Sequence, residues 1–128
     1  FPSHDREGEA ILRKHNKDIA EFTEAAVSVM EIGGSIVPVL NCPYMWGSDA
    51  CHKLCEENKH HPFTAYYWIG SEFVTFGMRS IEGGADVSKI AQLYGGGGHK
   101  HAAGFRVHLS RFSTALSTGK LLPQLTAF

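Results

Sequence analysis

Between Ala10 and Ile32 the apolar residues Ile11, Ile19, Phe22, Ala26 and Val29 recur at spacings of three, four or multiples of these. That is one helical stripe, and Gly33-Gly34 ends it. The short β-branched run Ser35 to Leu40 predicts a buried strand, closed by the turn chemistry of Asn41-Cys42-Pro43. Ser48 suits the N-cap of a helix over Asp49 to Asn58, with Cys51, Leu54 and Cys55 on one face. Phe63 to Ile69 and Glu72 to Ser80 are aromatic, β-rich runs around Gly70-Ser71, which predicts an antiparallel hairpin. Asp86 caps a further helix whose Val87, Ile90, Ala91 and Tyr94 share a side, stopping at Gly95. After the glycines comes a turn of helix through Ala103. Then Phe105, Val107 and Leu109 alternate with Arg106, His108 and Ser110 as a half-buried strand does. Beyond Arg111 the pattern fades. The expectation is an α/β fold: a mixed sheet of about four to five strands flanked by helices, a two- to three-layer sandwich. Residues 1–32 are expected to be an N-terminal connecting helix and 33–128 a single domain.

The 128 residues, 43% hydrophobic and 20% charged, fit one soluble globular domain, and no apolar run is long enough for a membrane span. A start on Phe1, close to a helical pattern, leads us to expect a piece of a longer protein. Three cysteines, Cys42, Cys51 and Cys55, are an odd number and fit a reducing compartment, so the expected location is intracellular and cytoplasmic. The net charge of −1 hides an asymmetry. Residues 1–86 carry 7 Lys/Arg against 13 Asp/Glu, and residues 87–128 carry 5 Lys/Arg with no carboxylate. A carboxylate-free stretch that also holds His99, His101 and His108 suits an anionic ligand.

Within it, Gly95, Gly96, Gly97 and Gly98 precede His99-Lys100-His101. One glycine suffices to end a helix, so the others call for another reason. Bare backbone can curl into a concave nest of N–H donors that holds phosphate, and a helical turn from His99 would point further donors at the same spot. The Walker pattern fails, because Lys100 stands where its second glycine belongs. The dinucleotide fingerprint fails because the run follows a helix. Arg79, at the end of a strand free of other cations, offers a planar fork for a phosphate if the sheet brings it near the glycines.

Gly77-Met78-Arg79-Ser80, then Asp86-Val87-Ser88-Lys89-Ile90-Ala91, then Gly95 through Phe105 (GGGGHKHAAGF) resemble the C-terminal DHH-associated domain of DHH-family phosphoesterases, in the oligoribonuclease and exopolyphosphatase-like branch. The likeness covers roughly residues 33–110, and Met78 stands where the family has Leu. It implies substrate contacts from Arg79, Ser80, the Gly95 to Gly98 backbone and His99. It also implies a hydrolase whose two manganese ions belong to a separate N-terminal DHH domain of the same chain. This segment lacks an Asp-His-His string, so no catalytic residue and no cofactor are expected in it. The expected substrates are short oligonucleotides, dinucleotides or other phosphate chains, with no membrane partner and an oligomer left open.

Two rivals remain. Cys51, Cys55, His52, Cys42, His60 and His61 could form a zinc site, but the cysteines share the face of Leu54 and read as small buried hydrophobes. Tyr66, Tyr67, Trp68 and Phe76 could serve a stand-alone module for single-stranded nucleic acid, stacking bases beside the basic segment.

Overall fold

The computed structural model of the protein describes residues 2–123. Helix α1 (Pro2–Ala26) leads into a hairpin of β1 (Val27–Ile32) and β2 (Ser35–Asn41). A single 3-10 turn, Tyr44–Trp46, precedes α2 (Gly47–Glu57), and β3 (Thr64–Ile69) and β4 (Phe73–Arg79) form a second hairpin. Then come α3 (Val87–Leu93), β5 (Gly97–His99), β6 (Ala102–His108), α4 (Leu109–Thr118) and β7 (Lys120–Leu121). The strands make one mixed sheet in the order β5-β6-β4-β3-β2-β1-β7, with β2–β3 and β1–β7 parallel and the other pairs antiparallel. Among the described residues no helix is long and apolar enough to cross a membrane.

The α/β class and its flanked mixed sheet are as expected, with seven strands instead of four or five. The helix expected over residues 10–32 stops at Ala26, and Val29 pairs with Pro38 in the sheet. The reason is the turn that follows. Gly33 (φ 60) and Gly34 (φ 86) both take the left-handed conformation, which sends the chain straight back along itself with Ile32 opposite Ser35. Pairing then buries Met30 and Ile32, which a helix would have placed on different faces. The helical turn expected after the glycines is instead a β5–β6 hairpin, so its N–H groups are not available as a helix end. The expected cap at Ser48 is also replaced: α2 starts at Gly47, two residues before the expected Asp49, and no side chain caps it. Asp86 caps α3 as expected, its carboxylate accepting from Ser88 N at 3.1 Å. That bond, with the Ser88 hydroxyl first among the causes, holds the Asp86 carboxyl below the usual range.

One sheet face is closed. Val37, Phe76 and Met78 are fully buried there beneath Ala91 and Tyr94 of the α3 segment and Phe112 and Ala115 of α4. Each such side chain is worth roughly 1.5–3 kcal/mol on burial. The Tyr94 hydroxyl accepts from Gly33 N at 2.8 Å and donates to Leu121 O at 2.6 Å, tying the β1–β2 turn to β7. The other face is closed only in part. Ile19, Leu40, Cys42, Ala50 and Leu54 form a second, smaller cluster beneath α1 and α2, which lie over β2, β3 and the near side of β4. Beyond them, over β4, β6 and β5, the sheet stands open.

Candidate functional site

That open stretch is a cleft of about 550 Å³, lined by Arg79, by Gly95 to Gly98, by Gly77 and Gly104, and by Tyr66, Thr75 and Arg106 among others. Its floor follows from register. Across β5, β6 and β4, Gly97 lies opposite Gly104 and Gly104 opposite Gly77, a row of three residues without Cβ atoms. Directly opposite residues point to one face. The next row toward one end is therefore His99, Ala102 and Arg79, and the row toward the other end carries Arg106 and Thr75.

Arg79 is held before any ligand arrives. Its Nη1 donates to Met78 O at 2.8 Å, its Nη2 donates to Ser48 Oγ at 3.1 Å, and its Cζ lies 5.8 Å from the centre of the Tyr66 ring. The ring is itself wedged: a Cβ at Gly77 would sit 2.3 Å from it, and one at Gly47, 2.1 Å. Glycine at both positions lets Tyr66 lie between the β4 main chain and the start of α2. The result is a half-buried guanidinium with fixed orientation and, among the described residues, no carboxylate in ion-pair range. A cation left unpaired and preorientated is suited to an anionic group brought from outside.

The four glycines are not a nest. Gly95 (φ 80) ends the α3 segment, and Gly97 and Gly98 belong to edge strand β5. A Cβ at Gly96 would meet Gly104 O at 2.1 Å, and one at Gly98 (φ 146) would meet Ala103 Cα at 2.6 Å, so both allow a close approach of main chains. At Gly97, by contrast, a Cβ would meet nothing within 4 Å, so its bare main chain keeps the cleft floor flat.

The structure thus brings Arg79 and the glycine run to one cleft. His99 shares their side of the sheet by register but is exposed at its margin and does not line it. Ser80 is placed elsewhere. It is 6% exposed, and its hydroxyl donates to Ala85 O at 2.7 Å while standing 2.9 Å from His101 Nδ1. With its one proton on Ala85 O, the hydroxyl accepts from His101, whose Nε2 lies 3.5 Å from Glu82. Ser80 therefore fastens the 80–85 loop and the β5–β6 turn together beneath Arg79. Thr75 and Arg106 complete the lining without having been singled out from the sequence. The signal was present in the alternation of β6, where Arg106 falls between buried Phe105 and Val107, but only strand pairing shows which residues Arg106 faces.

The cysteines are packing residues. Cys51 is fully buried, bonded to Thr64 Oγ1 at 3.2 Å, and burial pushes its thiol up to about 12. Burial likewise raises Cys42 to about 11. Among the described residues no group of three or more His, Cys, Asp or Glu side chains could hold a metal ion, so the cysteines and histidines named for a zinc site are not gathered there. Of the four strand aromatics, Tyr67 and Phe76 belong to the closed core and only Tyr66 and Trp68 lie on the cleft side.

No protein-family model matches the chain, and no curated protein matches it. Solved structures do. A pGpG-specific phosphodiesterase of Vibrio cholerae, PggH, superposes with a TM-score of 0.58 at 15% identity, covering 88% of this chain and 40% of that one. An uncharacterized protein of Helicobacter pylori superposes with a TM-score of 0.53 at 16% identity, covering 73% of this chain and 26% of that one. The fold is shared at these identities. This chain spans less than half the length of either neighbour.

Proposed function

We propose that this chain is the substrate-holding, DHH-associated part of a DHH-type phosphoesterase acting on short oligonucleotides, dinucleotides or related phosphate chains. The observation that carries the reading is the cleft itself: an unpaired, preorientated Arg79 beside a flat, Cβ-free floor of main chain. A phosphate accepts two parallel hydrogen bonds from a guanidinium, and a flat floor lets a sugar or base lie close to the sheet. The name of the Vibrio neighbour, which acts on the dinucleotide pGpG, supports the same ligand class. In this reading bond cleavage belongs to a separate metal-bearing domain, and the present residues bind and orient.

Calorimetric titration of the 128-residue chain with pGpG tests it. Arg79→Ala should weaken binding by about 1.5–3 kcal/mol, the worth of a hydrogen bond to a charged group. Unchanged affinity in that variant removes Arg79 from the site. The rival reading, a strand-tracking module for single-stranded nucleic acid, loses two of its four aromatics to the core. It predicts affinity that climbs steadily with strand length and falls steeply with salt, whereas the cleft predicts little gain beyond a dinucleotide.

A further inference from the structure

At the end of the cleft away from Arg79, the Arg106 guanidinium lies over the Phe73 ring with Cζ 4.3 Å from its centre, and Phe73 meets His108 edge-on at 5.9 Å. Arg106 is exposed, and among the described residues no carboxylate pairs with it. We infer that Arg106 on Phe73 is a stacking shelf for the second nucleobase of a dinucleotide whose phosphate is held at Arg79. The inference rests on the reading of the cleft given above and deepens it, choosing a ligand with two nucleosides over a mononucleotide or a polyphosphate.

Spacing and chemistry both favour a base there. Arg106 faces Thr75, four residues along β4 from Arg79, which puts the backbone positions that carry the two side chains roughly 13 Å apart along the strand. Between them lie Gly77 and Gly104, with no cation. A polyphosphate carries charge on every unit, so its middle units would rest on uncharged main chain. A dinucleotide carries its charge on phosphates and can lay its flat parts over that floor. The guanidinium, with one face on an aromatic ring, is a planar group that needs no rearrangement to receive a second planar group on its other face.

The test is calorimetric titration of the whole chain with GMP, pGpG and inorganic tripolyphosphate. Wild type should bind pGpG more tightly than GMP. Arg106→Ala and Arg106→Lys should both weaken pGpG binding roughly tenfold and leave GMP unchanged, because lysine keeps the charge and loses the plane. Phe73→Leu should fall between wild type and Arg106→Ala, while thermal melting of each variant verifies that it is folded. Wild-type affinity in Arg106→Lys, or equal losses for pGpG and tripolyphosphate in Arg106→Ala, overturns the shelf in favour of plain charge. GMP and pGpG binding equally well overturns the second subsite and leaves the Arg79 site standing. Failure of wild type to bind either nucleotide sinks both readings.

Discussion

Replacing Ser80 by alanine separates a structural role from a ligand contact. The hydroxyl makes two short bonds, to Ala85 O at 2.7 Å and with His101 Nδ1 at 2.9 Å, from a side chain at 6% exposure. Each neutral bond is worth about 1 kcal/mol net, and the partners left behind are half-buried, so water satisfies them in part. The expected loss is therefore about 2 kcal/mol. A chain of this length unfolds with an entropy near 0.27 kcal/mol per kelvin, which turns that loss into a fall in Tm of about 7 °C. Urea titration gives the free energy directly, calorimetric scanning gives the Tm, and pGpG titration of the same sample should give affinity within about twofold of wild type. Unchanged stability together with lost affinity would refute the reasoning and return Ser80 to the ligand.

Gly97→Ala should fold as well as wild type, since its Cβ meets nothing within 4 Å, yet bind pGpG more weakly because the methyl group stands on the cleft floor. Gly98→Ala, strained at φ 146 and 2.6 Å from Ala103 Cα, should instead lower Tm; equal melting of the two variants contradicts the assignment. Tyr94→Phe leaves Gly33 N and Leu121 O without their partner and should cost about 2 kcal/mol in urea unfolding, with no effect on the cleft. For the thiols the folded values, about 12 for Cys51 and about 11 for Cys42, lie above the ordinary 9.0. Below pH 9 both states keep their protons. Above it the unfolded chain ionises first, so stability should fall as pH rises from about 9 toward 11–12. Urea midpoints at pH 8 and 10 check this, and a double Cys42→Ala, Cys51→Ala variant should show a shallower decline.

Strands β2, β3, β4 and β6 and helix α3 were legible because each carries a clean period or a cap, as at Asp86 and at Gly70-Ser71. The β1 segment was not. Val29 happens to continue the helical spacing of Ile19, Phe22 and Ala26, and only pairing with β2 overrides that local match. Helix α4 was hidden by Ser and Thr, poor helix formers, several of whose hydroxyls donate back to carbonyls one turn earlier, as Thr118 does to Thr114 O at 3.0 Å. Its buried stripe is only Phe112 and Ala115. Strand β5, two glycines and a histidine, has no side-chain pattern at all, so its pairing with Ala102 to Gly104 is purely a tertiary event. For the site, Arg79 and the glycines could be named from residue type, whereas Thr75 and Arg106 required the register of β4 against β6.

The pleat of β4 and β6 divides labour residue by residue. Val74, Phe76 and Met78, like Ala103, Phe105 and Val107, face the core, while Phe73, Thr75, Ala102, Arg106 and His108 do not. Ligand preference can therefore drift by exchange of every other residue without touching the neighbours that secure folding. Homologues of this domain should diverge in what they hold well before they diverge in shape.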